Sequence, residues 1–249
     1  MATVGTRFHT YSFNNDIEGW SVKIDFPLDG ADIPKRDGVL INSGKVGQRV
    51  YQLKGQIQAS TPTALRTARD AMLQVIANRT GNLYLFTDRF AEARLTKYSE
   101  AIVDGSGIEA LDFILEFTCS EPFEQSETLN SSSLTTSTSG DSTYTVTNNG
   151  NYETFAKITV TAPASSIVND ILVSNTTRDE TFTFLGTLAG TKALIVNSLV
   201  TPFTVTNDGV DAVSDFSGEV IKLSPGANTI KFNAIINAVL KFEWRDRWV

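Results

Sequence analysis

The one histidine of the chain, His9, is the only imidazole that could serve a Ser-His-Asp triad or a histidine metal site, and one such residue near the start of the sequence is a poor foundation for either. Asp208, Asp211 and Asp215, in TNDGVDAVSDFSG, have the chemistry to attract a hard cation such as Ca²⁺ through carboxylate oxygens. The Asp-Gly pair among them already accounts for that stretch as a solvated acidic turn, the reading preferred here. Paired carboxylates can also hydrolyse a glycoside, but no spacing in the sequence selects a pair. Tyr152, Phe203 and Trp248 lie near expected loops, where an aromatic face can stack on a sugar ring; Trp248 is the candidate kept for such stacking. The sequence carries no G-x-S-x-G, H-E-x-x-H, G-x-x-x-x-G-K-[ST] or EF-hand pattern. Catalytic, metal and cofactor residues are therefore all expected to be absent, and the chain is not expected to be an enzyme.

Composition narrows the field further. A formal net charge of −7 over 249 residues speaks against a basic groove that clamps nucleic acid, because backbone binding needs clustered Lys and Arg. Cys119 is the single cysteine, which excludes an intramolecular disulfide and a cysteine-rich metal site. The opening MATVGTRFHTYSF lacks a basic stretch followed by an apolar one, and about 18 apolar residues never occur in succession. Neither a secretion signal nor a membrane span is expected.

The elements that would position any site are mostly short strands. Residues 61–79, TPTALRTARDAMLQVIANR, are the exception. Thr61 is an N-cap residue, Pro62 suits the first helical position and Gly81 offers a left-handed residue past the end. Leu65, Ala68, Met72, Val75 and Ile76 recur at the helical period on one face, while Arg66, Thr67, Asp70 and Gln74 take the other. The pattern predicts an amphipathic helix docked on a sheet, with Arg66, Asp70 and Gln74 left as a candidate surface for neighbouring subunits or partners.

Around it, SVKIDFPL alternates Val22, Ile24, Phe26 and Leu28 against polar residues, RVYQLKGQIQAS does the same, and LDFILEFTC sets Leu111, Phe113, Leu115 and Phe117 on one face. The glycine-punctuated stretch from Gly30 to Gly47 reads as a projecting hairpin or arm. Residues 124–143, rich in Ser and Thr and nearly empty of large apolar residues, read as a linker between a first domain, 1–123, and a second, 144–249. The second domain repeats short strands separated by Gly, Asn, Asp and Pro turns, the pattern of two antiparallel sheets packed face to face with a jelly-roll connection. In its last strand Leu240, Phe242, Trp244 and Trp248 share a face read as core.

The order KGQIQASTPTALRTARDAMLQVIANRTGNLYLF, a strand ending FTCSEPF and a Ser/Thr-rich stretch resembles the N-terminal domain of siphophage distal tail proteins. NNGNYETFAKITVTAP, DETFTFLGTLAGTKALIVN, the SDF at Ser214 to Phe216 and LSPGANTIKF are similar to that family's C-terminal domain. The resemblance spans nearly the whole chain and implies a mainly β protein: an N-terminal β-sandwich flanked by one helix, the linker, and a C-terminal galectin-like β-sandwich. It also implies a structural role without catalytic residues, in which six N-terminal domains close a ring at the tail tip or baseplate of the virion. The implied partners are other copies of the chain, the tail tube protein, the tape measure protein, the baseplate hub and in some cases a receptor-binding protein. DNA would pass through the ring as cargo, the ring would not insert in a membrane, and it would be assembled in the host cytoplasm. An acidic channel wall would let phosphate slide. A carbohydrate-binding module for a host-surface glycan is the alternative reading.

Overall fold

The computed structural model describes residues 6–8, 11–13, 17–26, 30–32, 39–41, 46–77, 80–103, 109–136, 140–164, 167–169, 171–234 and 237–249. The chain divides into two compact units, Met1–Gln125 with Val249, and Ser126–Trp248.

The first unit contains β1 (Arg7–Phe8), β2 (Tyr11–Ser12), β3 (Ile17–Ile24), β4 (Gly30–Asp32), β5 (Val39–Ile41), β6 (Arg49–Ala59), α1 (Pro62–Ile76), β7 (Thr80–Tyr84), β8 (Arg89–Val103), β9 (Glu109–Cys119) and β10 (Glu124–Ser126). Its main sheet runs in the order β2-β1-β7-β8-β9-β6-β3, with β10 added against β8. Phe8 on β1 meets Phe117 on β9 with ring centroids 4.7 Å apart, although β7 and β8 lie between those strands in the sheet. The sheet therefore curls over its own apolar face. Leu111, Phe113, Leu115 and Phe117 all enter that core, as their alternation predicts.

Helix α1 closes the core. The Ala64 N–H donates to Thr61 Oγ1 at 3.2 Å and Pro62 occupies the first turn, so the start follows the expected cap. Leu65, Met72 and Ile76 are buried, with Ala68, Leu73 and Val75 packed partly against the same cluster. Each fully buried side chain of this size contributes about 1.5–3 kcal/mol. The stop differs from expectation: the helix ends at Ile76, Ala77 is extended, and Gly81 sits in β7 opposite Ala93 rather than capping the helix. Pairing in the sheet takes the glycine before the helix can use it. Residues 78 and 79 lie outside the described residues.

Strand β3 also departs from its pattern. Ile17 is buried, whereas Val22 is 41% and Phe26 60% exposed; Leu28 lies outside the described residues. β3 pairs only with β6 and has a register shift between Ile17 and Gly19, so its second half extends past the core. In the arm, Gly30, Ala31 and Asp32 pair with Ile41, Leu40 and Val39 as a two-stranded hairpin; the rest of the stretch between them lies outside the described residues.

Residues 124–143 are not an open linker. They supply β10, β11 (Asn130–Thr135) and the start of β12 (Gly140–Asn148). β11 pairs with β22 (Val239–Trp244) from Asn130↔Trp244 to Thr135↔Val239, and β12 pairs with β21 (Gly226–Ala234) along its full length. Ser and Thr satisfy a strand whose one face meets solvent, and ladder hydrogen bonds replace the missing apolar driving force.

The remaining strands of the second unit are β13 (Thr154–Thr161), β14 (Ile171–Asn175), β15 (Glu180–Phe184), β16 (Ala193–Asn197), β17 (Thr204–Asn207), β18 (Val210–Asp211), β19 (Phe216–Gly218), β20 (Lys222–Leu223) and β23 (Arg247–Trp248). One sheet runs β11-β22-β13-β16-β17-β18, with β20 on β13; the other runs β12-β21-β14-β15-β19. Their inner faces share one core, in which Ile158, Val160, Leu240 and Phe242 meet Val173, Phe182, Ile230 and Phe232. This is the expected two-sheet sandwich. Trp244 is buried with Leu240 and Phe242, but Trp248 belongs to separate β23 and is half-buried.

Candidate functional site

Among the described residues, those that the sequence offers for catalysis or metal binding are not brought together. His9 lies outside the described residues. Asp208 and Gly209 have φ of 52° and 81° and make the tight turn of the β17–β18 hairpin. Asp208 is paired with Lys192 at 2.6 Å, Asp211 accepts from the Val213 N–H at 3.4 Å, and among the described residues no three of His, Cys, Asp and Glu gather as metal ligands. A glycosidase acid needs a carboxyl pushed upward. The carboxylates perturbed here move the other way. Lys241 and then Lys157, against burial, hold Glu243 below its ordinary range, and Lys231 does so for Asp141. Burial of Cys119 pushes its thiol up to about 12, with Arg49 pulling against it, so it is a poor nucleophile at neutral pH. Tyr152 bridges to Arg247, and Phe203 packs its ring 5.7 Å from that of Phe216. Trp248, the glycan-stacking candidate, is partly covered on β23.

The outer helix face stands differently. Arg66, Asp70 and Gln74 are all exposed, presented by a helix whose opposite face is locked into the core. Beside them Arg69 donates to Glu100 on β8 at 2.7 Å and approaches Asp70 at 3.4 Å, and Tyr98 donates to the same Glu100. Burial works against the Glu100 charge, yet the hydrogen bonds from Tyr98 and Arg69 outweigh it and lower its pKa. Tyr98 rises to about 12 through burial and then that bond. The helix is thus tied to β8, and its exposed residues have a fixed position.

On the other side of the sheet the register sets rows of polar residues. Lys97, Glu116, Gln52 and Ser21 form one row, Ser99, Ile114, Lys54 and Gly19 the next, and Ala101, Asp112 and Gln56 a third. Two shallow hollows lie along these strands, about 230 Å³ around Gly19, Lys54 and Gln52 and about 150 Å³ around Ser99, Asp112 and Ile114. Ser99 lines the second beside Glu100 and Asp112, but those carboxylates accept from Arg69 and Tyr98 and from Gln56 instead. The charges are mixed rather than acidic, so the net −7 of the chain is not concentrated on this face.

Among the described residues, the first unit's sheet leaves two long stretches of ladder edge without a strand partner. β3 has a partner only in β6, and β7 covers β8 only from Ala91 to Arg94, leaving Lys97–Val103 paired on the β9 side alone. Ile102 at the free end is 72% exposed. The chain matches no protein-family model and no curated protein sequence. Among solved structures it is similar to the Dit protein of phage SPP1, described as a paradigm of the hub adsorption apparatus in phages infecting Gram-positive hosts. The TM-score is 0.74, with 15% identity and coverage of 98% of each chain. The fold is that of a phage distal tail protein. A chain of the phage P2 baseplate in its activated conformation with Ca also aligns, over 97% of this chain and 91% of that one, at 9% identity; its TM-score of 0.42 is too low to carry an argument.

This distal tail fold holds one buried ionic group that patterning missed. Arg49 donates to Glu124 at 3.2 Å and to the Pro122 carbonyl at 3.3 Å, and Tyr51 donates to Glu124 at 2.6 Å. Burial, reinforced by the Glu124 charge, raises the Tyr51 pKa, so the phenol stays protonated as a donor. The group anchors the strand that leaves the first unit. Its only sequence signal is an Arg opening a strand and a Glu in a Ser/Thr-rich stretch, which does not mark them as partners.

Proposed function

We propose that this chain is a structural subunit of a phage tail tip, whose first units close head to tail into a hexameric ring between tail tube and baseplate hub. The observation that carries the reading is the distal tail fold over 98% of the chain. The open edges support it. In a closed ring the free edge of β3 in one copy would face the free half of β8 in the next, and closure would remove the aggregation hazard that each edge presents. The row-patterned face of the sheet would line the channel. Its Lys97 and Lys54 are interspersed with Glu116, Asp112, Gln and Ser, so these rows lack the clustered cations that would hold DNA. The opposite side would present Arg66, Asp70 and Gln74 outward, as a surface for tail tube, tape measure or hub proteins. Location at the virion tail tip and assembly in the host cytoplasm belong to the same proposal.

No enzymatic step is part of this reading. No helix among the described residues is long and apolar enough to cross a membrane. Electron microscopy with light scattering of the full chain tests it: rings of six copies are expected, formed alone or on adding the tube or hub protein. Val22→Lys together with Ile102→Lys should leave the fold intact, since both side chains are already exposed, and abolish the rings. A particle that remains monomeric with each partner, or rings untouched by both substitutions, would refute the proposal. In the carbohydrate-binding alternative, Trp248→Ala would instead abolish binding on a glycan array.

A further inference from the structure

The last strands of the two sheets in the second unit, β18 and β19, follow each other in the chain through one turn of 3-10 helix, Val213–Asp215. This edge carries an unusual share of the exposed large apolar side chains: Leu185, Leu199, Val200, Phe203, Val210 and Val213 are each 37–69% exposed. Leu185, Phe203 and Val213 gather about Asp215 and Phe216. The Phe203 ring lies tilted 5.7 Å from that of Phe216, the Leu185 N–H donates to the Asp215 carbonyl at 2.9 Å, and Ala212, just before Val213, donates to the Val205 carbonyl of β17 at 2.9 Å. The strip follows β17 from Val210 opposite Asn207 to Phe203, a length of about 13 Å at strand rise. Apolar residues scattered singly need no explanation; a group of them gathered along one sheet edge does.

The rim has one sign. Asp211, Asp215 and Glu219 carry no ion pair among the described residues, while Asp208 is taken by Lys192. β18 and β19 are each the last strand of their sheet, so backbone groups are also available to an incoming strand. We infer that this edge docks an extended segment of another protein in which apolar side chains alternate with Lys or Arg. Alternate residues would lie on Leu185, Phe203 and Val213, and the intervening cations would meet the three carboxylates. The surface lies wholly within the second unit and is independent of the ring contacts, so either proposal can fail while the other stands.

The test uses the full chain and a fluorescently labelled synthetic peptide alternating Lys with Val and Phe, read by anisotropy at low and high salt. Saturable, salt-sensitive binding is expected, with the corresponding Glu peptide failing to bind. Leu185→Ser with Val213→Ser should weaken binding by at least about tenfold, and so should Asp211→Asn with Asp215→Asn, both sets keeping the parent circular dichroism because the side chains lie at the surface. Equal binding of the Lys and Glu peptides, or parental affinity in both variants, would overturn the inference. So would a concentration-dependent gain of mass in the parent, lost in Leu185→Ser, which would assign the strip to a second copy of this chain.

Discussion

The two units hold their polar groups in opposite ways. In the second, polar side chains inside the fold pin its own loops: Asn148 donates to the carbonyls of Tyr152 and Leu223 and accepts from the Gly150 N–H, while Asn228 bonds both the N–H and carbonyl of Ser224. Asn148, Asn175 and Asn228 are each 0% exposed. Buried amides so fully bonded fix turns rigidly, because any other arrangement leaves polar groups unpaired. The first unit has no such set among its described residues; its largest buried polar group is the Arg49–Glu124–Tyr51 cluster, and it leaves long stretches of β3 and β8 unpaired. The second unit pins its loops from within, whereas the first leaves stretches of its longest strands open to neighbours.

Met72→Asp should separate the units most sharply. Met72 is 0% exposed under the helix, and an unpaired buried carboxylate there should cost about 4 kcal/mol. α1 is the one α-helix among the described elements, so the 222 nm dichroism reports the first unit, while in a Trp20→Phe, Trp248→Phe background Trp244 fluorescence reports the second. The helix signal should melt at much lower urea and the Trp244 signal should hold. Both moving together would mean the units do not unfold separately. Glu124→Ala comes next, at about 3 kcal/mol, because it strands the buried Arg49 guanidinium; the shift should again be confined to the helix signal.

What the sequence disclosed follows from how far each physical rule reaches. Period 3.6 identified the docked face of α1, and period 2 identified Phe113, Leu115 and Phe117, because both depend on residues a few positions apart. Arg49 and Glu124 are 75 positions apart, and nothing local announces such a pair. Ser and Thr in β11 and β12 looked like a linker because composition records missing apolar drive but not a ladder supplied by β22 and β21. Asn148 and Asn228 carry no local signal that marks them as buried staples. The helix face Arg66, Asp70 and Gln74 was legible as exposed. The open edges were not, because alternation tells which face a residue takes, never which strand lies alongside.

The same contrast predicts a smaller loss in the second unit. Asn148→Ala leaves two carbonyls and one N–H without their side-chain partner, at a cost of about 2 kcal/mol. Trp244 fluorescence should record it at lower urea while the helix signal stays in place. Equal sensitivity of both signals would erase the distinction drawn from the amide staples. Thr61→Ala, which removes the helix cap, should cost about 1 kcal/mol and appear only in the helix signal.

The smallest effect concerns acid, and each unit offers one carboxylate to test it. In the second, burial works against Glu153, but Lys222 and then Arg178, at 2.9 Å each, outweigh it and lower its pKa. Glu100 plays the corresponding part in the first. A carboxyl lowered on folding contributes stability above its unfolded value, about 4.3 for Glu, and loses it as pH falls through the lower folded value. Solvent screening keeps both contributions modest. Between about pH 5 and pH 3, Glu153→Gln should therefore flatten the acid loss seen by Trp244 and leave the helix signal unchanged, whereas Glu100→Gln should do the reverse. If either substitution flattened both signals, the ion pairs would report on the whole chain, and the two units would not respond to acid separately.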